Sequence, residues 1–368
     1  MRTNRAAHPQ GQPYGTVEPV PHWIDTEIRS FLGMTASNGP LRPALDAWQA
    51  KALWQTVTLA AKESLFFRKH WQSHTKTLID WERARPCSLQ ESAILLRQLP
   101  FCSGRDIAAA SEPFLAVPHD DVAGLTSVPT SGTTGKPKRI YCTSNDMERT
   151  TRFFQYGMRF MVAPEGKDRV AMLMSGERPG SIGALFASAM ERWNIPCRIM
   201  GLPDSIGAVS ETLLDWQPTC IVALPEHAKS LALALGAESA SGKKPLPSLR
   251  SVLLSADASS PEIRQFLAES LQCAVFDHYG LTEAGYAVAV ECHNHRGGHI
   301  REGDLFFEVV DPEGRNLPAN KWGELVMTTL TREAMPLVRY KTGDLGRMLC
   351  APCPCGSALH RLEVARRL

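Results

Sequence analysis

Thr130, Ser131, Gly132, Thr133, Thr134, Gly135, Lys136, Pro137 and Lys138 run as TSGTTGKPK, so hydroxyl side chains, two glycines and two lysines share one short loop. Glycine lets the backbone turn its N–H groups inward, the hydroxyls add donors, and Lys136 and Lys138 add positive charge. That is the donor set of a phosphate site. It is not a Walker A loop, which requires G-x-x-x-x-G-K-[ST], because five residues after Gly132 stands Pro137. An ordinary Gly/Thr turn accounts for a shorter match but not for nine residues in this order. A second block, DHYGLTEAG from Asp277 to Gly285, follows directly on the apolar run AVF. This places Tyr279, Gly280, Thr282 and Glu283 at the carboxyl end of a strand, where ligands of open α/β sheets bind. An acidic residue such as Glu283 beside a phosphate loop suits Mg2+, which takes one or two carboxylates together with substrate oxygens. In a third block, RYKTGD from Arg339 to Asp344, Gly343 permits a tight turn and Asp344 offers a carboxylate to vicinal hydroxyls. Taken singly, a strand-to-helix turn explains the second block and a surface turn the third. Together the three outweigh those readings.

The elements that must position these blocks follow from hydrophobic period. Residues 1 to about 20 are rich in Pro, Gly and polar side chains and are expected to form a loose arm. Leu45, Trp48, Leu53, Val57, Leu59 and Phe66 recur at three-to-four spacing with Pro43 as an early-turn residue, which predicts a core-facing helix over 45–67. A further helix is expected from near Ser144. From Val122, short β-rich runs alternate with helical ones, the pattern of parallel βαβ units. The runs at 169–174, 197–200, 219–224, 251–254 and 274–276 read as buried strands, and 181–192 and 205–214 as crossover helices. AESASGKKPLPS, 237–248, reads as a solvated loop. Beyond Gly303, LFFEVV and GELVMTTL predict antiparallel strands joined by DPEGRNLPANKWG. The fold class is therefore α/β, mainly parallel βαβ units to about 290 and an antiparallel, β-rich late segment over 291–368. There is no internal repeat and no heptad pattern.

Composition narrows the partners. A chain of 368 residues holds two or three domains or one large composite unit. Forty basic against 38 acidic residues leave a net charge of +2, with no run of like charge to track a phosphate backbone, so nucleic acid is not the expected partner. No apolar run approaches the roughly 20 residues of a membrane span. The N-terminus has no apolar secretory core, and the expected location is the cytoplasm. Of the ten cysteines, Cys87, Cys102, Cys142, Cys197, Cys220 and Cys273 are scattered and read as small hydrophobes. Cys292, Cys350, Cys353 and Cys355 fall late and ask for another explanation.

In these blocks and their order the chain resembles the adenylate-forming superfamily of acyl-CoA synthetases. It is most similar to its phenylacetate-CoA ligase family, through GELVMTTLTREAMPLVRYKTGDLG (323–346), ECHNHRGGHIREGD (291–304) and CPCG (353–356). The resemblance covers about 43–362. It implies an α/β N-terminal core over 21–368 and an AMP-forming carboxylate-CoA ligase. Such an enzyme activates a small carboxylic acid with ATP and Mg2+ as an acyl-adenylate, then transfers the acyl group to CoA. It further implies that Thr130 to Lys138 hold the β- and γ-phosphates, and that Thr282 and Glu283 serve the α-phosphate and Mg2+. Tyr279, with Gly280 after it, would pack beside adenine, and Asp344 would bind the ribose. Where the family has an Ala/Gly-Glu pair beside adenine, this chain has Ala256 and Asp257, whose carboxylate is one methylene shorter. Cys292, His299, Cys353 and Cys355 form an allowed structural zinc set, similar to relatives with this pattern, with Cys350 a competing ligand and His293 and His295 read as exposed loop residues. Buried or free thiols are the alternative.

The same resemblance leads one to expect a C-terminal lid domain bearing a catalytic lysine. Here the last lysine is Lys341, inside the third block, and the lid is read as absent. A full cycle then needs a lid from elsewhere, from a homodimer or a separate lid-bearing protein. The alternative is a nucleotide- or acyl-adenylate-binding pseudoenzyme or partner subunit without turnover. The acid itself is not legible. Tyr141 and the pair Phe153 and Phe154 could wall an aryl pocket or belong to the core, and the core is the preferred reading for the pair.

Overall fold

The structure is a computed structural model that describes residues 23–34, 39–84, 88–128, 137–163, 166–176, 178, 180–202, 205–238 and 246–368. The N-terminal arm over 1–20, Cys87, most of the 237–248 loop and Thr130 to Lys136 lie outside the described residues. The strands are β1 (Cys102–Ser103), β2 (Gly124–Val128), β3 (Lys138–Cys142), β4 (Val170–Leu173), β5 (Cys197–Ile199), β6 (Cys220–Ala223) and β7 (Ser251–Leu254). They continue with β8 (Ala274–Tyr279), β9 (Ala289–Glu291), β10 (Gly298–Ile300), β11 (Leu305–Val310), β12 (Gly323–Thr329), β13 (Tyr340–Leu349) and β14 (Arg361–Arg367).

Twelve of these strands form one sheet in the order β11-β12-β13-β14-β10-β9-β8-β7-β6-β4-β5, with β1 added on β13. From β5 to β8 the neighbours are parallel. From β8 to β11 they are antiparallel. The expected change from parallel to antiparallel is thus present within a single sheet. The central parallel strands β4 and β6 are apolar throughout because both faces are covered. On β4, Val170 and Met172 pack on one face with Phe153, Phe186, Val222 and Leu253, whereas Ala171 and Leu173 pack on the other with Leu213, Leu231, Ile221 and Leu267. The crossover helices Ile182–Glu191 and Ile206–Trp216 begin after Ser181 and Ser205, and the Ser181 hydroxyl accepts from the Ala184 N–H at their first turn.

One sequence expectation needs correction. The single helix over 45–67 is two helices, Leu41–Glu63 and Leu65–His70. Ser64 leaves helical geometry, with φ −81° and ψ 119°, and its hydroxyl accepts from the Phe67 N–H to start the second helix. The longer helix braces the antiparallel region, where Trp48 Nε1 donates to the Gly303 carbonyl at 3.1 Å and Gln49 Nε2 to the Glu302 carbonyl at 2.8 Å. The helix expected from near Ser144 is present, and a strand not read from sequence precedes it. The phosphate-loop segment connects the antiparallel strands β2 and β3, with Val128 opposite Lys138. Only then does the helix Ser144–Gly157 begin, with Thr143 and Asp146 forming a reciprocal capping box.

Candidate functional site

Three strand ends deliver the polar residues to one place. Lys138 opens β3, Glu283 lies in the short 3-10 turn Thr282–Ala284 after β8, and Tyr340 opens β13. All three are buried. Lys138 Nζ pairs with Glu283 Oε1, and the Tyr340 hydroxyl donates to the same oxygen at 2.6 Å. Burial alone would raise the Glu283 carboxyl, but the charge of Lys138 and these hydrogen bonds outweigh it and hold the pKa below the ordinary 4.5. Arg332 Nη2 donates to the Glu283 carbonyl at 3.3 Å. Beside this group the Tyr279 hydroxyl donates to Asp344 Oδ2 at 2.6 Å, and Arg367 Nη1 approaches Oδ1 at 3.4 Å. Burial raises both the Asp344 carboxyl and the Tyr279 phenol, and Asp344 adds to the latter.

RYKTGD is not a turn. From Tyr340 on it forms the start of the ten-residue strand β13, whose register against β12 jumps between the pairs Glu324–Leu345 and Val326–Lys341. Residues 342–344 therefore oppose Leu325 alone, as a β-bulge in which Gly343 has φ +76°. The glycine expected to close a turn instead lets the strand bulge, and Tyr340, Thr342 and Asp344 are all buried. Gly280 allows another close approach. A Cβ there would lie 2.4 Å from the Tyr286 carbonyl oxygen, so the backbone after β8 closes over itself only without a side chain.

Of the site residues named from sequence, Lys138, Tyr279, Gly280, Glu283 and Asp344 converge, with Thr282 half-buried at the edge of the group. Thr130, Ser131, Gly132, Thr133, Thr134, Gly135 and Lys136 lie outside the described residues. Ala256 and Asp257 stand exposed just past β7, Ala256 in the left-handed region at φ +72°. Tyr340 was missed although it lies within the third block; its signal is period two along β13, which sets it on the buried face with Asp344. Arg367 carried no local signal.

Next to these strand ends lies an apolar cavity of about 350 Å3, counting its open mouth, between the helices Ser144–Gly157 and Ile182–Glu191 and the sheet. Phe153 and Phe154 line it while also belonging to the core, so both alternatives for the pair hold. Tyr141 packs in a different core cluster.

Cys292, His299, Cys353 and Cys355 come together, with their donor atoms all within 4.8 Å of one another. Cys292 follows β9, His299 lies in β10, and the other two come from the connection between β13 and β14. Cys292 Sγ is 3.7 Å from Cys353 Sγ, and Cys355 Sγ is 3.4 Å from His299 Nε2. A hydrogen bond from Cys355 holds the Cys292 thiol down at about 3. Burial opposes charge on His299, yet bonds with Cys292 and Cys353 raise it to about 9. Cys350, the competing ligand, is exposed and outside the group. His293 and His295 are exposed as expected, with His295 Nδ1 3.1 Å from Glu291 Oε2.

Comparison with known proteins places this α/β chain in a family. Residues 29–331 match the family described as AMP-binding enzyme, and the chain belongs to that adenylate-forming family. Within it, the chain is similar to phenylacetate-coenzyme A ligases. It is 34% identical over 278 residues to that of Thermus thermophilus, covering 71% of this chain and 58% of the relative. It is 32% identical over 263 residues to that of Pseudomonas putida, covering 69% and 57%. The chain thus spans less than three-fifths of the length of these relatives. An open conformation of 2-hydroxyisobutyryl-CoA ligase, in complex with 2-HIB-AMP and CoA, shares the fold with a TM-score of 0.74 at 19% identity, over 89% of this chain and 75% of that one.

Proposed function

We propose that the chain carries the nucleotide- and acid-binding core of an ATP-dependent carboxylate-CoA ligase. The observation that carries this reading is the convergence of Lys138, Glu283, Tyr340, Tyr279 and Asp344 at neighbouring strand ends. In the first half-reaction the acid's carboxylate oxygen attacks the α-phosphorus of ATP, an acyl-adenylate forms and pyrophosphate leaves. In the second, the CoA thiol attacks the acyl carbon and AMP leaves. Two anions meet in the first step, so positive groups and donors must be in place beforehand. Lys138 and the loop Thr130 to Lys136 supply them for the phosphates. Asp344, held by Tyr279, accepts from the ribose hydroxyls, and the backbone past β7 at Ala256 and Asp257 borders the base.

Mg2+, held by Glu283 and phosphate oxygens, supplies charge neutralisation when bound. The carboxylate suits it: it is held ionised, and its contacts with Lys138 and Tyr340 both fall on Oε1. The Cys/His group suits a structural Zn2+. Two sulfurs each ~2.3 Å from a tetrahedral ion lie ~3.8 Å apart, against 3.7 Å between Cys292 and Cys353. Thiolate ligands also fit a reducing compartment, the cytoplasm. As to domains, we read 21–368 as one adenylate-forming core, with residues 1–20 an arm and the zinc group in its β-rich part.

ATP–pyrophosphate exchange over a panel of aryl and short-chain acids tests the reading, using this chain alone and fused to the C-terminal part of a phenylacetate-coenzyme A ligase. Acid-dependent exchange is expected in the fused form. ATP binding with no exchange in either form favours the nucleotide-binding pseudoenzyme, and no ATP binding rejects both.

A further inference from the structure

The hairpin of β2 and β3 carries Lys138 and brackets the segment 130–136, yet among the described residues it forms its own two-stranded sheet and shares no ladder with the twelve-stranded one. A lone hairpin is marginal in water. Its seat on the molecule therefore depends on side chains. On β3, Ile140 and Tyr141 are buried in the core and Lys138 pairs with Glu283. β2 lies further out, with Leu125 53% exposed and Thr126 half-buried. The Thr126 hydroxyl nevertheless lies 2.6 Å from the Tyr286 hydroxyl, and that hydroxyl is 3.4 Å from the Gly180 carbonyl. With Thr126 donating to Tyr286 and Tyr286 donating to Gly180, one phenol joins β2 to the residues that precede the helix Ile182–Glu191.

The backbone of Tyr286 is held in a costly conformation. Its φ is +69°, in the left-handed region that a bulky side chain rarely enters. Such strain persists only where the surroundings over-determine it. Here the surroundings are the turn that carries Glu283. The N–H groups of Ala284, Gly285 and Tyr286 donate to the carbonyls of Leu281, Thr282 and Leu281, each at 2.9 Å. Gly285 is packed so closely that a Cβ there would lie 2.8 Å from Thr150 Oγ1, and the Tyr286 carbonyl oxygen closes on Gly280. Rotation about N–Cα sets where Cβ leaves the turn, so this φ directs the ring toward β2. The residue whose backbone closes the Glu283 turn is thus the one whose side chain reaches the hairpin.

We propose that Tyr286 is a positioning residue: its hydroxyl seats the β2–β3 hairpin against the Glu283 turn, and so sets the donors for the β- and γ-phosphates at a fixed distance from that carboxylate. This rests on the nucleotide-binding reading above and deepens it. Lys138 ties β3 to Glu283, and Thr126 ties β2 to Tyr286. A hairpin held by the first tie alone can pivot about it. The second tie removes that freedom, and a preorganised donor set is what charge stabilisation requires.

The test is calorimetric binding of ATP and of AMP, each with Mg2+, to the unaltered chain, Tyr286→Phe, Thr126→Val and the double variant. Each single change removes one hydroxyl and keeps the packing around it. ATP affinity should fall about threefold to tenfold in either single variant, the worth of one hydrogen bond. AMP lacks the β- and γ-phosphates, so its affinity should hold. The double variant should lose no more than either single one, because both remove the same bond, and Thr126→Ser, which keeps a hydroxyl, should bind ATP as the unaltered chain does. In the free protein, amide hydrogen exchange should quicken across 124–128 and 138–142 in both single variants and stay unchanged in the crossover helices. Should Tyr286→Phe fail to fold, as read by circular dichroism, Thr126→Val carries the test from a half-buried position. Equal losses for ATP and AMP, additive losses in the double variant, or unchanged ATP affinity in the single ones overturns the proposal and leaves nucleotide binding standing. No ATP binding by the unaltered chain overturns the nucleotide-binding reading and this proposal with it.

Discussion

Lys138 and Tyr340 share one oxygen of Glu283, so the ionisation of that carboxylate depends on them. A carboxyl whose folded pKa is depressed adds stability above its ordinary pKa, and this is lost as pH falls through the folded value. Lys138→Met removes the main charge that opposes burial. Its melting temperature should therefore be lower near neutral pH and should lose less on acidification than that of the unaltered chain, whose Glu283 contribution is lost only below about pH 4.5. ATP affinity by calorimetry should drop by about tenfold or more, since a charged donor is lost. Identical acid profiles for the two proteins would show that Glu283 is not governed by this pair. For Asp344 the nucleotide itself discriminates. The unaltered chain should bind ATP more tightly than 2′-deoxy-ATP, and Asp344→Asn should bring the two affinities close to each other. An equal loss for both nucleotides would instead assign Asp344 to holding Tyr279 in place.

At the scale of elements, the β13 bulge and the Cys/His group are two devices that shape the antiparallel region. A Cβ on Gly343 meets nothing nearer than Arg367 Nη2 at 3.4 Å, so Gly343→Ala should cost only the left-handed conformation, about 1–3 kcal/mol. Gly280→Ala should cost more, because its Cβ would meet a backbone oxygen that cannot swing aside. Denaturant unfolding of the two variants should show that order, and the reverse order would contradict the close approach at Gly280. The Cys/His group joins the β9–β10 region to the connection between β13 and β14. Purified protein should carry close to one zinc per chain by elemental analysis. Cys353→Ser should lower both the metal content and the melting temperature, because structural zinc contributes folding free energy directly. Protein never exposed to chelator and free of zinc would refute the assignment.

For the whole molecule, the issue is how two half-reactions are shared. The chain spans 58% of the Thermus relative, and the proposed cycle asks for a further charge-stabilising donor and a surface over CoA. Losing one preorganised donor typically costs on the order of a hundredfold to a thousandfold in rate. Fusion to the C-terminal part of a relative should therefore raise acyl-CoA formation by about a hundredfold or more over the chain alone, measured by thioester yield. Equal rates would place both half-reactions within these 368 residues.

Some of this architecture is written in one dimension. The strands β4 and β6 are continuous apolar runs because both faces are buried, the helix starts at Ser144 and Ile182 carry local capping residues, and the three polar blocks and the late cysteines are contiguous enough to read by eye. Pairings between distant residues are different. Lys138 reaches across 145 positions to Glu283, and Tyr279 across 65 to Asp344. Such contacts depend on strand order and register, which hydrophobic period does not record. The same holds for Gly343, whose type permits a turn or a bulge until β12 sets the register. It holds for Ser64, which splits a helix whose apolar period runs on through it, and for Phe153 and Phe154, which are core and cavity wall at once. Local chemistry determined which residues were available, while the packed sheet decided which of them meet. A side chain's ionisation and partners are set by neighbours in space, and only folding brings those neighbours within a few ångströms.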